Sequence, residues 1–302
     1  MAKLTRIAIL VPLVLALVSF VLTSLTLFAG RKQGFMEDYD VVRLNTSMLG
    51  HNLIDKVASK DSTDSSGGAL SGIKNFLNSA KDEVKDKVND ITNEIAGKLT
   101  SKLGVSQWYS LHVMNSCEGN WTPDPTAPDP SLEVTKCSGT SLQNRLNLTE
   151  LLDSELKVGS LKLSLGDLNW QDSIQDKLDI INDALYAIFI VYVLAMGLSG
   201  LSFLLHIAGF LLPDRTIIVL VNFAVASLAA LACVIGSILV SVLGSKGVDK
   251  LNEKGQNVGL SATRGKKFFI LSWIATVFMM FISVFWLVHL VFQRRQKRTA
   301  TK

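Results

Sequence analysis

The chain has 302 residues and a mean hydropathy of +0.34, and 48% of its residues are hydrophobic. Its apolar residues lie mainly in four blocks of 24 to 29 residues, and about 20 apolar residues suffice for a helix to cross a bilayer. This composition excludes a soluble cytosolic enzyme, a disordered chain and a small disulfide-rich secreted protein. The net charge of +4 is uneven, since residues 31–183 carry 16 Lys and Arg against 23 Asp and Glu. An acidic segment between basic flanks favours lipid contact over nucleic-acid binding.

The four apolar blocks predict four transmembrane helices, at residues 7–30, 184–212, 216–244 and 268–292. The first block exceeds the apolar region of about 7–15 residues found in cleaved secretory signals. We therefore interpret it as a signal anchor that stays in the protein. The connecting pieces are residues 1–6, 31–183, 213–215, 245–267 and 293–302.

Charge gives only a weak indication of orientation. Four spans put both termini on one side of the membrane, and the termini with the 213–215 turn carry eight basic residues, against six in the 245–267 loop. Sequons and disulfides are more informative because both belong to the secretory side. All three sequons and two of the three cysteines lie in the long 31–183 segment: Asn45, Asn120, Asn147, Cys117 and Cys137. We therefore predict that 31–183 and 245–267 are extracellular and that the other three connecting pieces are cytosolic.

The first half of the long loop contains two distinct patterns. Residues 35–68 are polar and end in a run of Ser, Asp, Thr and Gly, which is typical of a flexible linker. Apolar residues spaced three and four apart then predict an amphipathic helix over 70–103. This helix either packs on the rest of the loop or serves as a membrane-surface or coiled-coil element.

The cysteine pair lies in the region 107–137. Alternating bulky residues from Trp108 to Met114 predict a short strand. Four prolines between positions 123 and 130 predict an exposed loop. A disulfide between Cys117 and Cys137 would close this loop and stabilise the fold by roughly 3 kcal/mol in the chain-entropy model. A redox-active pair is disfavoured because the spacing is not C-x-x-C.

The end of the loop is expected to be helical. Leucines between 146 and 156 predict a short helix, and residues 161–165 alternate like a strand. A helix that begins near Ile174 is expected to continue directly into the second span.

The spans contain little polar chemistry. Small residues at helix-contact spacing predict a packed bundle: Gly197, Gly200, Ala226, Ala229, Ala230, Ala232, Cys233 and Gly236. The polar residues singled out within the spans are His206, Asn222, Ser237 and His289. The spans contain no Asp, Glu, Lys or Arg, which disfavours a transporter or channel. Because enzyme motifs are also missing and the four histidines are scattered, we expect no catalytic residue, no metal site and no cofactor.

A basic tail follows the fourth span. Its charged residues are Arg294, Arg295, Lys297 and Arg298, followed by Lys302. Basic residues at this position either contact acidic lipid headgroups, at about 1 kcal/mol each, or act as ordinary positive-inside anchors.

The plan as a whole resembles the fungal Sur-seven/PalI family. The resemblance is carried by the segment W-Y-S-L-H-x-x-N-x-C-E-G, a second cysteine, and one N-terminal span followed by three closely spaced spans. The family motif maps onto five residues of this chain: Trp108, Tyr109, Cys117, Gly119 and Cys137. The family is similar in plan to claudins, although the 20-residue cysteine spacing and the 70–103 insert depart from claudins. The short tail also lacks the extended region of pH-signalling PalI members.

The expected fold is mainly α: a four-transmembrane-helix bundle with a large disulfide-bonded α+β extracellular loop domain between the first two spans. The resemblance implies a non-enzymatic structural protein that organises eisosome-associated plasma-membrane microdomains, with effects on cell wall, endocytosis or sporulation. A subunit of an ambient-pH signalling pathway is the alternative, and a transporter is a third. Expected partners are membrane lipids, further copies of the chain or other membrane proteins, and the cell wall, with no nucleic acid.

Overall fold

The computed structural model describes residues 2–49, 105–123, 125, 127–128, 130–139, 147–158, 172–212 and 215–300. The elements expected over 70–103 and 161–165, and the run at 61–68, lie outside the described residues. The chain divides into two compact units. The helix unit comprises Met1–Ala29, Ala184–Val242 and Lys266–Lys302, and the sheet unit comprises Gly30–Asp183 and Leu243–Gly265.

The elements follow in chain order as α1 (Ala2–Phe28), β1 (Val42–Asn45), β2 (Trp108–Leu111), β3 (Ser116–Thr122), β4 (Ser131–Cys137), α2 (Leu148–Val158), α3 (Asp172–Leu211), α4 (Thr216–Val242), α5 (Val248–Gly255), β5 (Ser261–Arg264) and α6 (Lys266–Ala300). A π-helical turn, Leu243–Gly247, joins α4 to α5, and a 3-10 turn, Gln256–Val258, follows α5. The short helix α2 and the continuous α3 confirm the helices expected around 146–156 and from Ile174 into the second span.

Four of the described helices are long and apolar enough to cross a membrane: α1, α3, α4 and α6. They fit a multi-pass membrane protein because their backbone groups are satisfied within each helix, as a hydrocarbon environment requires. The last helix, α6, continues through the basic tail to Ala300, so Arg294 and Arg295 lie on an extension of the helix.

Small residues bring α4 and α6 close together in the helix unit. Alanines on α4 are buried with Met279, Ile282 and Trp286 of α6 in one apolar cluster. The expectation of close contact is wrong for Gly197, which is exposed and has no atom of the described residues within 4 Å of a would-be Cβ. Its neighbour Gly200 does form such a contact, because a Cβ there would lie 3.0 Å from the ring of Phe20.

The sheet unit contains a five-stranded antiparallel sheet in the order β4-β3-β2-β1-β5. The central strand β2 is buried at all four positions, so both faces of the sheet are covered there. Trp108 and Tyr109 are among its largest fully buried side chains. Burying side chains of this size supplies much of the apolar stabilisation of a small unit.

Four strands lie where no strand was expected: β1, β3, β4 and β5. The exposed loop expected between the two cysteines is wrong over most of β3 and β4, and the prolines lie between these two strands. The linker expected over 35–68 is wrong at Val42–Asn45, which forms β1 and pairs with both β2 and β5. The 245–267 segment is ordered, since it contains α5 and β5. Leu44 of β1 lies opposite Ala262 of β5. This pairing joins the two segments predicted to lie on the same side of the membrane into one sheet.

Both edges of the sheet receive side-chain hydrogen bonds. At β5, the Asn252 amide donates from Nδ2 to the Ala262 carbonyl at 3.0 Å and accepts from the Ala262 N–H at 2.5 Å. At β4, Gln33 donates from Nε2 to the Val134 carbonyl at 2.5 Å. Occupying edge groups in this way opposes uncontrolled strand pairing with other chains.

Candidate functional site

The sequence motif assembles on three neighbouring strands of the sheet unit. Trp108 of β2 lies opposite Gly119 of β3, and its indole N–H donates to the Asn120 carbonyl at 2.9 Å. A Cβ at position 119 would lie 2.6 Å from Cζ2 of Trp108 and 2.9 Å from the Glu133 carbonyl carbon. Only glycine therefore allows the indole to lie against the backbone of β3.

The expected disulfide joins β3 to β4, two residues before Gly119 along β3. Cys117 of β3 and Cys137 of β4 lie directly opposite each other and are bonded. Tyr109, the fifth motif residue, is 1% exposed and pairs with Glu118. Burial raises the pKa of Glu118, and the positive charge of Lys136 opposes the shift. The structure thus brings all five motif residues into one sheet, where they act in packing.

A serine and a histidine of the motif lie in the geometry of a nucleophile and a base. The Ser110 hydroxyl is 3.2 Å from Nε2 of His112, and Nδ1 of His112 donates to the Tyr39 carbonyl at 3.2 Å. Both residues are buried, and desolvation lowers the pKa of His112 to about 4, so the imidazole is neutral near pH 7. A catalytic triad has a carboxylate where this pair has the Tyr39 carbonyl, and its serine must be open to a substrate. The buried Ser110–His112 pair therefore stabilises the fold.

Gly30 is what allows the histidine to be buried. Its φ is +69°, and a Cβ there would lie 2.5 Å from Nε2 of His112. Asn115 donates from its side chain to the Gly30 carbonyl, also at 2.5 Å. The segment that follows α1 is thereby fixed onto the β2–β3 turn.

A buried ion pair lies beside this histidine. Arg43 donates from Nη2 to Oδ1 of Asp40, which is 3% exposed, and lies 3.9 Å from Oδ1 of Asp38. Burial raises the pKa of Asp40 to about 6, although the guanidinium of Arg43 opposes the shift. Sequence patterns did not identify these residues, because their burial depends on the non-local pairing of β1.

The three sequon asparagines lie in different environments. Asn45 is half-buried at the end of β1, and its Oδ1 accepts from the N–H and the hydroxyl of Ser47 at 2.9 and 2.6 Å. Asn120 is exposed on β3. Asn147 is exposed and precedes α2, where its Oδ1 accepts from the Glu150 N–H at 3.0 Å, the arrangement of a helix N-cap.

Hydroxyl groups join three helices of the helix unit. Tyr192 of α3 is hydrogen-bonded to Ser272 of α6, and Ser237 of α4 bonds Ser272 at 2.5 Å and Thr276 at 2.8 Å. Of these four residues, only Ser237 stands out in the sequence as a polar residue within a span. The ring of Tyr192 fits because position 236 is glycine, where a Cβ would lie 2.9 Å from the ring.

The span histidine His206 also acts between helices. Its Nε2 accepts from the indole N–H of Trp286 at 2.7 Å, and its Nδ1 donates to the Ser202 carbonyl. The same pair packs edge to face. Asn222 donates to the Leu205 carbonyl at 3.1 Å. Among the described residues, no cluster of His, Cys, Asp and Glu could hold a metal ion.

A family model described as the SUR7/PalI family matches residues 8–285. The matched range begins in α1 and ends within α6, so it covers α3, α4, the whole motif-bearing sheet and parts of the first and last apolar helices. No curated protein and no solved structure matches the chain significantly. The chain therefore belongs to the SUR7/PalI family, a claudin-like membrane family that is not known for enzymes.

Proposed function

We propose that the protein is a non-enzymatic structural membrane protein that organises eisosome-associated microdomains of the fungal plasma membrane. Family membership carries this proposal, because it covers nearly the whole chain. The interior of the helix unit supports it, since its hydroxyl groups and His206 are bonded to neighbouring helices. Polar groups used in this way stabilise a bundle, whereas a transport path needs them directed at a cargo.

The outer surface of the helix unit is suited to lateral association. Large apolar side chains are more than half exposed on α3 and α6, including Leu194, Leu204, Ile270 and Phe281. In a bilayer, such a surface contacts acyl chains or a second bundle. We infer that it mediates contact with lipids and with other copies of the chain.

In this account the sheet unit lies outside the cell and both termini lie in the cytosol. A disulfide and exposed sequon asparagines suit an oxidising, glycosylating compartment. In that position the sheet unit would face the cell wall. The family resemblance implies an effect of the protein on the wall.

The basic end of α6 is proposed to contact acidic headgroups of the inner leaflet. Arg294 and Arg295 are exposed on the helix just beyond the apolar residues. Replacing both with Gln should remove about 2 kcal/mol of attraction to acidic lipid. Reduced co-purification of phosphatidylserine with the variant would support this contact, and unchanged co-purification would leave only ordinary anchoring.

The experiment for the main proposal is live-cell imaging of a C-terminal fluorescent fusion, with photobleaching of single patches. Stable cortical patches that recover slowly are expected. A uniform, rapidly recovering plasma-membrane signal, or a signal confined to internal membranes, would refute the proposal.

A second candidate function is supported by the buried titratable groups of the sheet unit. Asp40 and His112 have pKa values of about 6 and about 4, inside the range of an acidic exterior. A membrane subunit of an ambient-pH pathway could use such groups. Growth that fails only at alkaline pH when the chain is deleted, with cortical patches of its neighbours intact, would favour this alternative.

A further inference from the structure

The sheet unit contains a pocket that no part of the proposed function uses. It has a volume of about 560 Å³ and lies between the segment that precedes β1 and the β3–β4 hairpin. Its lining includes Glu37, Asp38, Tyr39, Arg43 and Trp121. This volume falls within the range of about 300–1,000 Å³ that is usual for small-molecule sites.

The walls of the pocket are held in place from behind. The backbone N–H of Trp121 donates to Oε1 of Gln107 at 2.8 Å, and the Tyr39 carbonyl accepts from His112. Arg43 is fixed by its ion pair with Asp40. A site whose walls are already ordered pays little conformational entropy on binding.

Two N–H donors of the lining residues have no hydrogen-bond partner among the residues that the structure describes. These are Nε of Arg43 and Nε1 of Trp121, and water barely reaches either atom. An unpaired buried donor is costly, on the order of 1–3 kcal/mol. A ligand oxygen that reaches these donors after a small shift of the two side chains would relieve that cost.

The charge of the pocket distinguishes between ligand classes. Among the described lining residues, Glu37 and Asp38 outnumber Arg43, whose charge is already balanced by Asp40, so an anion is disfavoured. A cation would suit the carboxylates and the aromatic rings, but it has no oxygen for the two unpaired donors. A neutral molecule with many hydroxyl groups can both donate to the carboxylates and accept from the N–H groups.

We propose that this pocket binds a neutral β-linked glucose-type oligosaccharide. In such a chain the ring substituents are equatorial, so each ring presents a flat C–H face that can lie on Trp121 or Tyr39, while hydroxyl groups at its rim meet Asp38 and the N–H donors. The proposal deepens the proposed function at one point, contact with the wall, and it rests on the same outer position of the sheet unit.

The test is calorimetric titration of the full chain in lipid nanodiscs, which avoids the sugar headgroups of maltoside detergents. Cellobiose and laminaribiose are the probes, and lactose is the matched ligand control because it differs from cellobiose in the configuration of one hydroxyl group. Saturable binding of a β-linked glucose disaccharide, weakened at least threefold for lactose, is expected. Choline chloride and inorganic phosphate test the cation and anion alternatives.

Two variants distinguish the contribution of the Trp121 ring to binding from that of its indole N–H. Trp121→Ala should weaken binding at least tenfold, and Trp121→Phe, which keeps a ring but loses the donor, should weaken it about two- to tenfold. Both variants keep the Asn-x-Thr sequon at Asn120. Trp273→Phe is the matched control, because Trp273 lies on α6 and its indole bonds Ser241; its affinity should equal that of the wild type. Unchanged melting midpoints and an intact disulfide establish that each variant is folded.

The proposal would be overturned if neither disaccharide bound saturably at concentrations up to about 10 mM. Equal disaccharide affinity of Trp121→Ala and the wild type would also overturn it. Binding of choline or phosphate in place of the disaccharides would overturn the ligand class. Failure here is distinguishable from failure of the proposed function, because patch formation is scored in cells and sugar binding on purified protein.

Discussion

The helix unit and the sheet unit contain different kinds of buried polar groups. Among the described residues of the helix unit the buried polar groups are uncharged, as in the set formed by Tyr192, Ser237 and Ser272. In the sheet unit a carboxylate and a guanidinium, Asp40 and Arg43, are buried together, and a disulfide closes the hairpin. The difference follows from the surroundings of each unit. Water can hydrate an ion when the sheet unit opens, whereas the hydrocarbon around the helix unit cannot, so a charged group costs more there.

This comparison predicts that the two units respond to different perturbations. Covalent and electrostatic changes should act on the sheet unit, and their effects should be large. Loss of single hydroxyls in the helix unit should cost little, because hydrogen bonds within a membrane average well below 1 kcal/mol.

The largest effect is expected from removal of the disulfide. The double variant Cys117→Ala with Cys137→Ala should lower the unfolding free energy of the sheet unit by about 2–5 kcal/mol, because its unfolded chain is no longer constrained. Amide hydrogen exchange of β2 measures this directly. Cys233→Ala, a buried thiol on α4, is the control and should leave β2 exchange unchanged. Equal protection of β2 in the double variant would show that the disulfide does not hold the sheet.

The pH dependence of the sheet unit should contain two opposing contributions. His112 has a folded pKa of about 4, below its ordinary 6.5, so its contribution is complete above pH 6.5 and is lost as the pH falls to about 4. Asp40 has a folded pKa of about 6, above its ordinary 3.8, so its contribution is complete below pH 3.8 and is lost as the pH rises through about 6. Each amounts to about 3 kcal/mol.

The variant Asp40→Asn separates these contributions. Wild-type stability should change little between pH 6 and pH 4, while the variant should lose about 2–3 kcal/mol between pH 6.5 and pH 4. Urea titrations of β2 exchange at several pH values measure the slopes, and Glu118 contributes equally to both proteins. Parallel curves for the two proteins would contradict the opposing assignment.

The same substitution, Gly→Ala, can be made in each unit to compare how tightly the two positions are packed. Gly119→Ala should destabilise the sheet unit by about 1–3 kcal/mol, because the new methyl overlaps Trp108 and the backbone of β4. In Gly197→Ala on α3 the new methyl has no neighbour within 4 Å in the described part of the chain, so this variant should be neutral or slightly stabilised. The melting midpoint should therefore fall for Gly119→Ala, and it should stay unchanged or rise slightly for Gly197→Ala. A neutral Gly119→Ala would show that the indole does not require this close approach.

The smallest effect is expected for the hydroxyl network of the helix unit. Tyr192→Phe should cost about 0.6 kcal/mol and at most about 1.7 kcal/mol, since Ser237, Ser272 and Thr276 still bond one another. Tyr186→Phe, on the exposed face of the same helix, is the control. Unfolding in sodium dodecyl sulfate, followed by helical circular dichroism, compares them. A loss of several kcal/mol for Tyr192→Phe would mean that the network organises the bundle.

The sequence predicts well what depends on local pattern. The apolar blocks match α1, α3, α4 and α6, and leucine spacing predicts α2. The bonded cysteines were expected from their number and compartment, and the structure adds that they lie opposite each other in adjacent strands.

What the sequence did not predict depends on contacts between distant residues. The four residues Val42–Asn45 and the polar Ser261–Arg264 show no convincing strand pattern alone, and they become strands because each pairs with the other over more than 200 positions. The pocket and the buried Arg43 follow from that pairing, so neither was visible in local composition. The hydroxyl network was not predicted for a similar reason. Ser and Thr are common in apolar helices, and only the packing of the helices shows which of them form hydrogen bonds.

The central claim is that the disulfide-bonded sheet unit lies outside the cell while both ends of the chain lie in the cytosol. Glycan occupancy tests it most directly, by endoglycosidase treatment of Asn45→Gln, Asn120→Gln and Asn147→Gln variants. We predict a glycan on exposed Asn147, lower occupancy at Asn120 because Pro123 follows its sequon, and none at Asn45, which is half-buried at the end of β1. An unmodified sheet unit, together with glycosylation of a sequon added after Lys302, would contradict this orientation.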